Sequence, residues 1–158
     1  MFFLGDKLTS MKLTLAAIGL RSRSSAYDEL TDLYRERTAA YSGIEITTHR
    51  SSQAFFENLD RQHARTAPVL VLLDSIGKQL SSEEFARWVG RMRDEGQQRI
   101  IFAIGPADGW TDSERQRASL LLSLGPMTLP HELARVVLSE QVYRAFTILA
   151  GHPYHSGH

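Results

Sequence analysis

Along the chain, short runs of apolar residues alternate with segments in which apolar residues recur three or four positions apart. The runs are typical of buried strands and the wider spacing of helices, so the pattern predicts strands and helices in alternation. Short, continuously apolar runs are typical of strands buried on both faces of a parallel sheet. The clearest such runs are VLVLLD at 69–74 and RIIFAI at 99–104. Strand patterns also occur at MKLTLAAI, residues 11–18, and from Ile44 to His49, which follows Gly43. A fifth run, SLLLSL at 119–124, fits either a strand or the end of a helix.

Helical spacing and capping residues mark the segments between these runs. Two segments begin with Ser or Thr followed three residues later by Glu, which is the capping-box pattern. The expected helices run from Ser24 to Tyr41, from Ser51 or Ser52, from Ser81 with Glu84, from Thr111 with Glu114, and from about Pro130 to Ala150. The first is expected to bury Tyr27, Leu30, Leu33 and Tyr34, and the second Phe55, Phe56 and Leu59.

This alternation predicts an α/β fold with a mostly parallel sheet covered by helices on both faces. The 158 residues suffice for one domain. Because Met11 opens the first strand, residues 1–10 are expected to be an N-terminal extension of a single domain at 11–158. Ligands of such sheets bind beyond the carboxyl ends of the strands, which directs attention to the loops at 74–80, 105–110 and 125–131.

Composition narrows the function classes. Lys and Arg total 18, and so do Asp and Glu, so a strongly basic nucleic-acid binder is not indicated, although uneven charge could still serve RNA. The chain has no cysteine, no apolar stretch of membrane-spanning length and no signal-peptide pattern, so we expect a cytoplasmic protein. The sequence also contains no GxGxxG, P-loop or GxSxG motif.

The last predicted helix is apolar around most of its circumference, which requires burial on more than one side. One interpretation is that a second subunit covers it in a two-fold homodimer. The alternative is a central helix in the core of a monomer. Glu140 and Arg144 are four residues apart and are expected to pair on its surface.

The tail after this helix reads HPYHSGH. An exposed Tyr and His suit RNA, because an aromatic ring stacks on an unpaired base and an imidazole can accept or donate a proton. The tail could equally pack on its own subunit. We expect no metal site among its histidines.

Several segments together resemble one family. The run GPMTLPHELARVVLSEQVYRAFTILAGHPYH at 125–155 is similar to the end of the RlmH family of SPOUT methyltransferases. Further matching pieces, in the family's order and spacing, are MKLTLAAIG at 11–19, LLDSIGK at 72–78, SSEEFA at 81–86 and FAIGPADGW at 102–110. The resemblance favours a strand for the fifth apolar run.

This resemblance implies a SPOUT-type fold with a trefoil knot near the carboxyl end, a homodimer, and methyl transfer from S-adenosyl-L-methionine to N3 of a pseudouridine in 23S rRNA of the large ribosomal subunit. It places cofactor contacts on Leu73, Gly105, Leu124, Gly125, Pro126, Met127, Thr128 and Leu129. Tyr154 and His155 match the family's target-site pair. We expect His155 to accept the N3 proton and Tyr154 to position the base.

The chain departs from the family pattern at Ser156, where a basic residue is usual, so Arg144 or His158 is a candidate for the missing RNA contact. Two alternatives stay open. The enzyme could act on another RNA such as tRNA, or the protein could be a non-catalytic dimeric ribosome-binding factor.

Overall fold

The computed structural model describes residues 11–19, 25–62 and 66–156, so residues 1–10, Ser24, His63 and His158 lie outside the described ranges. Strands and helices alternate as predicted. In order they are β1 Lys12–Ile18, α1 Ser25–Ala39, β2 Gly43–His49, α2 Ser52–Arg61, β3 Val69–Gln79, α3 Ser82–Asp94, β4 Arg99–Ile104, α4 Asp112–Arg115, β5 Leu120–Ser123 and α5 His131–Leu149. The α/β class and the strand at the fifth apolar run are confirmed.

The five strands form one sheet in the order β2-β1-β4-β3-β5, and every neighbouring pair is parallel. All carboxyl ends therefore lie at the same edge. One face carries α3 and α5 over a core that includes Leu13, Leu15, Phe102 and Leu138. The other carries Phe55, Phe56 and Trp110 over Ile18 and Leu72. Coverage on both faces explains the continuous apolar runs.

Helix α5 packs on three neighbours of its own chain. Besides the sheet, it contacts α1 through Tyr143 and Tyr34, whose ring centroids are 6.1 Å apart. It contacts α3 through Gln141, whose side-chain oxygen accepts a hydrogen bond from Ser82 at 2.7 Å. All of its residues are buried or half-buried. A single chain thus accounts for the apolar circumference of α5, and the homodimer stays a prediction that needs other support.

Helix α1 is rotated relative to the expected orientation. Leu30 and Leu33 are 43% and 37% exposed, so their assignment to the buried face was wrong. Thr31 and Thr38 face inward instead, at 1% and 0%. Thr38 can be buried because its hydroxyl donates to the carbonyl oxygen of Tyr34 at 2.7 Å, which satisfies the polar group within the helix.

Strand β3 extends well beyond the expected end at Asp74. Leu73 and Lys78 both align with Leu122 of β5, so the residues between them form a bulge inside a longer strand. Gly77 makes this possible, because a Cβ atom there would lie 2.6 Å from the carbonyl carbon of Leu121. The predicted loop at 74–80 is therefore mostly strand, and the bulge brings the backbones of β3 and β5 together.

Candidate active site

A cavity of about 610 Å³ lies at the carboxyl edge of the sheet, among the segments that follow Leu73, Ile104 and Ser123. This volume is in the range of small-molecule sites. All of the predicted cofactor-binding residues line it: Leu73, Gly105, Leu124, Gly125, Pro126, Met127, Thr128 and Leu129. The structure thus brings together three loops that are far apart in sequence, as expected for parallel strands with a common edge.

Trp110 fixes one wall of this cavity. Its indole Nε1 donates to the carbonyl oxygen of Leu73 at 2.9 Å, and its ring packs against Phe55 and Phe56 at centroid distances of 6.3 and 6.0 Å. Gly105 lies directly on the indole, since a Cβ there would be 2.8 Å from Trp110 Cε2. Glycine at 105 is therefore required for the loop after β4 to reach the end of β3.

Asp74 and Arg115 form an ion pair at the rim that sequence reasoning missed. The Asp74 carboxylate, only 5% exposed, accepts from Arg115 Nε at 2.6 Å and from the Ile76 amide at 3.0 Å. Hydrogen bonding to Asp74, and then to Asp112, raises the pKa of the Arg115 guanidinium. An aspartate at the end of a continuous apolar run was the available signal, but its partner is 41 residues away.

The third loop presents backbone to the cavity. Gly125 has φ +127°, a conformation that favours glycine, and its amide donates to Ser123 Oγ at 3.1 Å. Met127, two residues on, is 83% exposed. Such an exposed apolar side chain at a cavity is available for contact with a ligand or a partner.

His131, at the start of α5, also lines the cavity. Both of its ring nitrogens are buried without a hydrogen-bond partner in the described part of the chain. The nearest carboxylate oxygen, on Glu132, is 3.5 Å from Nδ1. Because unsatisfied buried polar groups are costly, the imidazole is suited to a ligand that supplies the missing bond. The sequence indicated only that His131 begins a helix.

The lining fits a nucleoside-containing cofactor. Leu73, Ile104, Leu122 and Leu129 offer apolar walls, while the strand-end loops offer backbone N–H and C=O groups. A neutral heterocycle needs that combination of apolar contact and a few fixed polar groups. The carboxylate of Asp74 is neutralised by Arg115, so it does not impose a cationic ligand.

The predicted target-site residues form a separate cluster on the carboxyl half of α5. Tyr154 Oη donates to Glu140 Oε2 at 2.8 Å, and Arg144 Nη2 donates to the same oxygen at 2.7 Å. The predicted Glu140–Arg144 pair is confirmed. The guanidinium carbon of Arg144 also lies 4.9 Å from the centroid of the Tyr154 ring, so the side chains of α5 bind the tail through both ionic and aromatic contacts.

His155 is bound at both ring nitrogens. Arg144 Nη1 lies 2.9 Å from its Nδ1, and Arg has no acceptor, so Nδ1 must accept. The neutral ring therefore carries its proton on Nε2, which donates to Glu83 Oε2 at 3.0 Å. This hydrogen bond contributes most to the lowering of the pKa of Glu83. Burial, followed by the bond to Glu140, raises the pKa of Tyr154, which stays protonated at neutral pH.

Neither Tyr154, His155 nor Arg144 lines the cavity of the three loops. Arg144 is 13 residues beyond His131 along α5, which corresponds to about 20 Å at the helical rise. Within one chain, the predicted cofactor residues and the predicted target-site residues are thus in different places.

Across the described ranges, no three His, Asp or Glu side chains are grouped so as to hold a metal ion. In the same ranges no helix has the length and hydropathy needed to cross a membrane.

Comparisons with known proteins agree with the fold. A family model described as "Predicted SPOUT methyltransferase" matches residues 11–155. The chain belongs to this family, which confirms the resemblance inferred from its motifs.

Individual relatives within the family show which proteins the chain is similar to. The chain is 52% identical over 148 residues to ribosomal RNA large subunit methyltransferase H of Koribacter versatilis, with 94% of the chain and 100% of the relative covered. It is 43% identical over 159 residues to the protein of that name in Mesorhizobium japonicum, covering 92% and 99%. A crystal structure of a probable methyltransferase from Bordetella pertussis Tohama I superposes with a TM-score of 0.51 at 9% identity, covering 92% and 99%, which shows the fold.

Proposed function

We propose that the protein transfers the methyl group of S-adenosyl-L-methionine to N3 of a pseudouridine in 23S rRNA of the large ribosomal subunit. Membership of a methyltransferase family supports the reaction class, and the relatives' names support the substrate. The observation that carries the proposal is the cavity built from three strand-end loops. Because the substrate is ribosomal, we expect the protein to act in the cytoplasm.

The cofactor, when bound, supplies a sulfonium methyl group that is already activated for displacement. The chain has to bind and orient it, and alignment of reacting groups is itself a large part of catalysis. We assign binding to the eight loop residues that line the cavity, with Trp110 keeping Leu73 and Gly105 in place. The trefoil knot implied by the family resemblance stays a prediction.

The acceptor nitrogen carries a proton that must leave, and we propose His155 as its acceptor. In the observed arrangement the Nδ1 lone pair is engaged by Arg144 and Nε2–H by Glu83, so one of these bonds has to break when RNA binds. Tyr154 stays protonated and is suited to stacking on the base or donating a hydrogen bond. Arg144 is proposed to contact RNA once released from His155.

We propose further that the protein is a homodimer in which the tail of one copy faces the cavity of the other. This is supported by the position of Tyr154 and His155, which lie away from the cavity of their own chain. Exposed Leu30, Leu33 and Met127 provide apolar surface that a second copy could cover.

The reaction is tested with large ribosomal subunits from a strain that lacks this gene. Purified protein and S-adenosyl-L-methionine should add one methyl group, located by mass spectrometry of the 23S rRNA. Methylation of tRNA alone would favour the first alternative. Failure to bind the cofactor in calorimetry would favour the non-catalytic ribosome-binding factor.

The role of His155 is tested by His155→Ala, with His49→Ala as a control, because within the described residues His49 neither lines the cofactor cavity nor contacts the tail. We expect turnover to fall while the cofactor Kd stays within about twofold of wild type, since a base contributes to the chemical step and not to cofactor binding. Unchanged turnover would exclude His155 as the base.

Mixing variants tests the shared site. The His155→Ala variant has lost the base in its tail, and a variant with a bulky residue at position 105 has lost its cofactor cavity. The homodimer of either variant alone should therefore be inactive. Random pairing makes half of the dimers mixed, each with one complete site, so roughly a quarter of wild-type activity should return. No recovery would show that each chain uses its own tail.

A further inference from the structure

A second, polar cavity of about 300 Å³ lies between α1, the carboxyl half of β2 and the first turns of α5. It is lined by Asp28, Thr31, Asp32, Ile46, Thr48 and Arg135. Among the residues that the structure describes, it shares none with the lining of the cofactor cavity. The two cavities are nevertheless neighbours, because Ala134 lines one and Arg135, the next residue of α5, lines the other.

Two deeply buried polar atoms of this cavity lack hydrogen-bond partners in the described part of the chain. Thr31 is 1% exposed, and its hydroxyl is unpaired. Arg135 is 4% exposed; its Nη2 donates to Asp28 at 2.5 Å and to Glu132 at 3.1 Å, but its Nε–H is unpaired. Each unsatisfied buried group costs free energy, so two in one cavity indicate a ligand that pairs with them.

The surroundings decide which ligand group fits. Among the described residues, Arg135 is shared between Asp28 and Glu132 and Arg35 pairs with Asp32, so neither guanidinium is left over to bind a phosphate. The lining residues that the structure describes include no aromatic ring and one aliphatic side chain, Ile46, so they offer a base no ring on which to stack. A hydroxyl group both donates and accepts, and therefore complements Arg135 Nε–H, Thr31 Oγ1 and the exposed carboxylate of Asp32.

We propose that this cavity binds the ribose of an RNA nucleotide next to the target nucleotide, through its 2′-hydroxyl. The 2′-hydroxyl is the group by which proteins distinguish RNA from DNA. The inference rests on the proposed function, because an RNA substrate bound at the neighbouring cavity would carry the ribose of an adjacent nucleotide to this position. The cofactor also contains a ribose, and the test separates the two sources.

The test uses Thr31→Val, which removes the hydroxyl at nearly constant shape. The matched control is Thr38→Val on the same helix, where the hydroxyl is already satisfied by Tyr34. In methyl transfer to large ribosomal subunits, we expect Thr31→Val to raise the KM for subunits about three- to tenfold, the effect of one lost hydrogen bond. Its cofactor Kd should stay within about twofold, and Thr38→Val should leave KM unchanged.

Stability provides an independent readout. Because the Thr31 hydroxyl is unpaired, Thr31→Val should unfold at the same or a higher urea concentration than wild type. Thr38→Val should unfold earlier, since it loses a bond. If Thr31→Val were clearly the less stable variant, its hydroxyl would be bonded within the folded protein and the inference would fail.

The ribose is identified with synthetic RNA stem-loops containing the target, each with one 2′-deoxy nucleotide, used as competitors of methyl transfer. One position beside the target should compete about three- to tenfold less well against wild type, and no less well against Thr31→Val.

Three results would overturn the inference. An unchanged KM in Thr31→Val would mean that the cavity holds only water. A proportionate loss of cofactor affinity would assign the ribose to the cofactor. A deoxy series without any weak position would exclude the 2′-hydroxyl. If wild type itself fails to bind cofactor or to methylate subunits, the proposed function fails, and that outcome is recognised before any variant is compared.

Discussion

Replacing Gly105 with Ala tests how the cofactor cavity is built. The added Cβ would lie 2.8 Å from Trp110 Cε2 and 2.9 Å from its Nε1, closer than Cβ atoms approach other groups in folded proteins. The indole cannot easily retreat, because Trp110 is 4% exposed, packs on two Phe rings and donates to Leu73. The crowding should therefore displace the loop after β4 or break the bond to Leu73.

The cost follows from those contacts. Overpacking contributes about 1–3 kcal/mol, and the indole hydrogen bond about 1 kcal/mol. We expect the free energy of unfolding to fall by about 3 kcal/mol, which lowers Tm by about 6–12 °C for a domain of this size. Cofactor affinity should fall at least tenfold, because Leu73 and Gly105 both line the cavity.

Gly109→Ala is the matched control. Gly109 is in the same loop, has φ +79° and nothing within 4 Å of its Cβ position, so Ala adds backbone strain without a clash. That strain costs about 1 kcal/mol. Thermal unfolding and calorimetry with S-adenosyl-L-methionine check both variants. Equal Tm and equal affinity for Gly105→Ala and Gly109→Ala would refute the view that Trp110 is a rigid wall.

Three further predictions follow from other contacts. Gly77→Ala should destabilise the protein more than either loop variant, because the added Cβ would lie 2.6 Å from the backbone of Leu121. Urea unfolding checks this prediction, and near wild-type stability would contradict the close approach of β3 to β5. Asp74→Asn should lower both stability and cofactor affinity, because it removes the buried partner of Arg115. Asp112→Asn removes the exposed partner of the same arginine and should change little. Similar losses in the two variants would be inconsistent with a special role for the buried carboxylate. The pKa of Glu83 is lowered, so its contribution to stability should be present above its ordinary pKa of 4.5 and be lost as pH falls through the lowered value. The stability difference between wild type and Glu83→Gln should show that pH dependence, and a difference that is constant with pH would argue against it.

Local sequence was sufficient for most of the elements and for the starts of three helices. Ser51 caps α2 by accepting from the Ala54 amide, and both predicted capping boxes, at Ser81 and Thr111, are present. Each signal lies within three or four residues, where the backbone conformation alone brings the groups together. The three cofactor loops were also predictable, because parallel strands share one carboxyl edge.

The tertiary structure decided everything that depends on distant partners. The pairs Asp74–Arg115 and Asp28–Arg135 join residues 41 and 107 positions apart, and no periodicity specifies them. The inward face of α1 was mispredicted because hydrophobicity favoured Leu30 and Leu33, whereas packing against α5 buries Thr31 and Thr38. Apolar pattern determines that a segment is buried, but only the positions of neighbouring elements determine which face is buried and which polar atoms are left for a ligand.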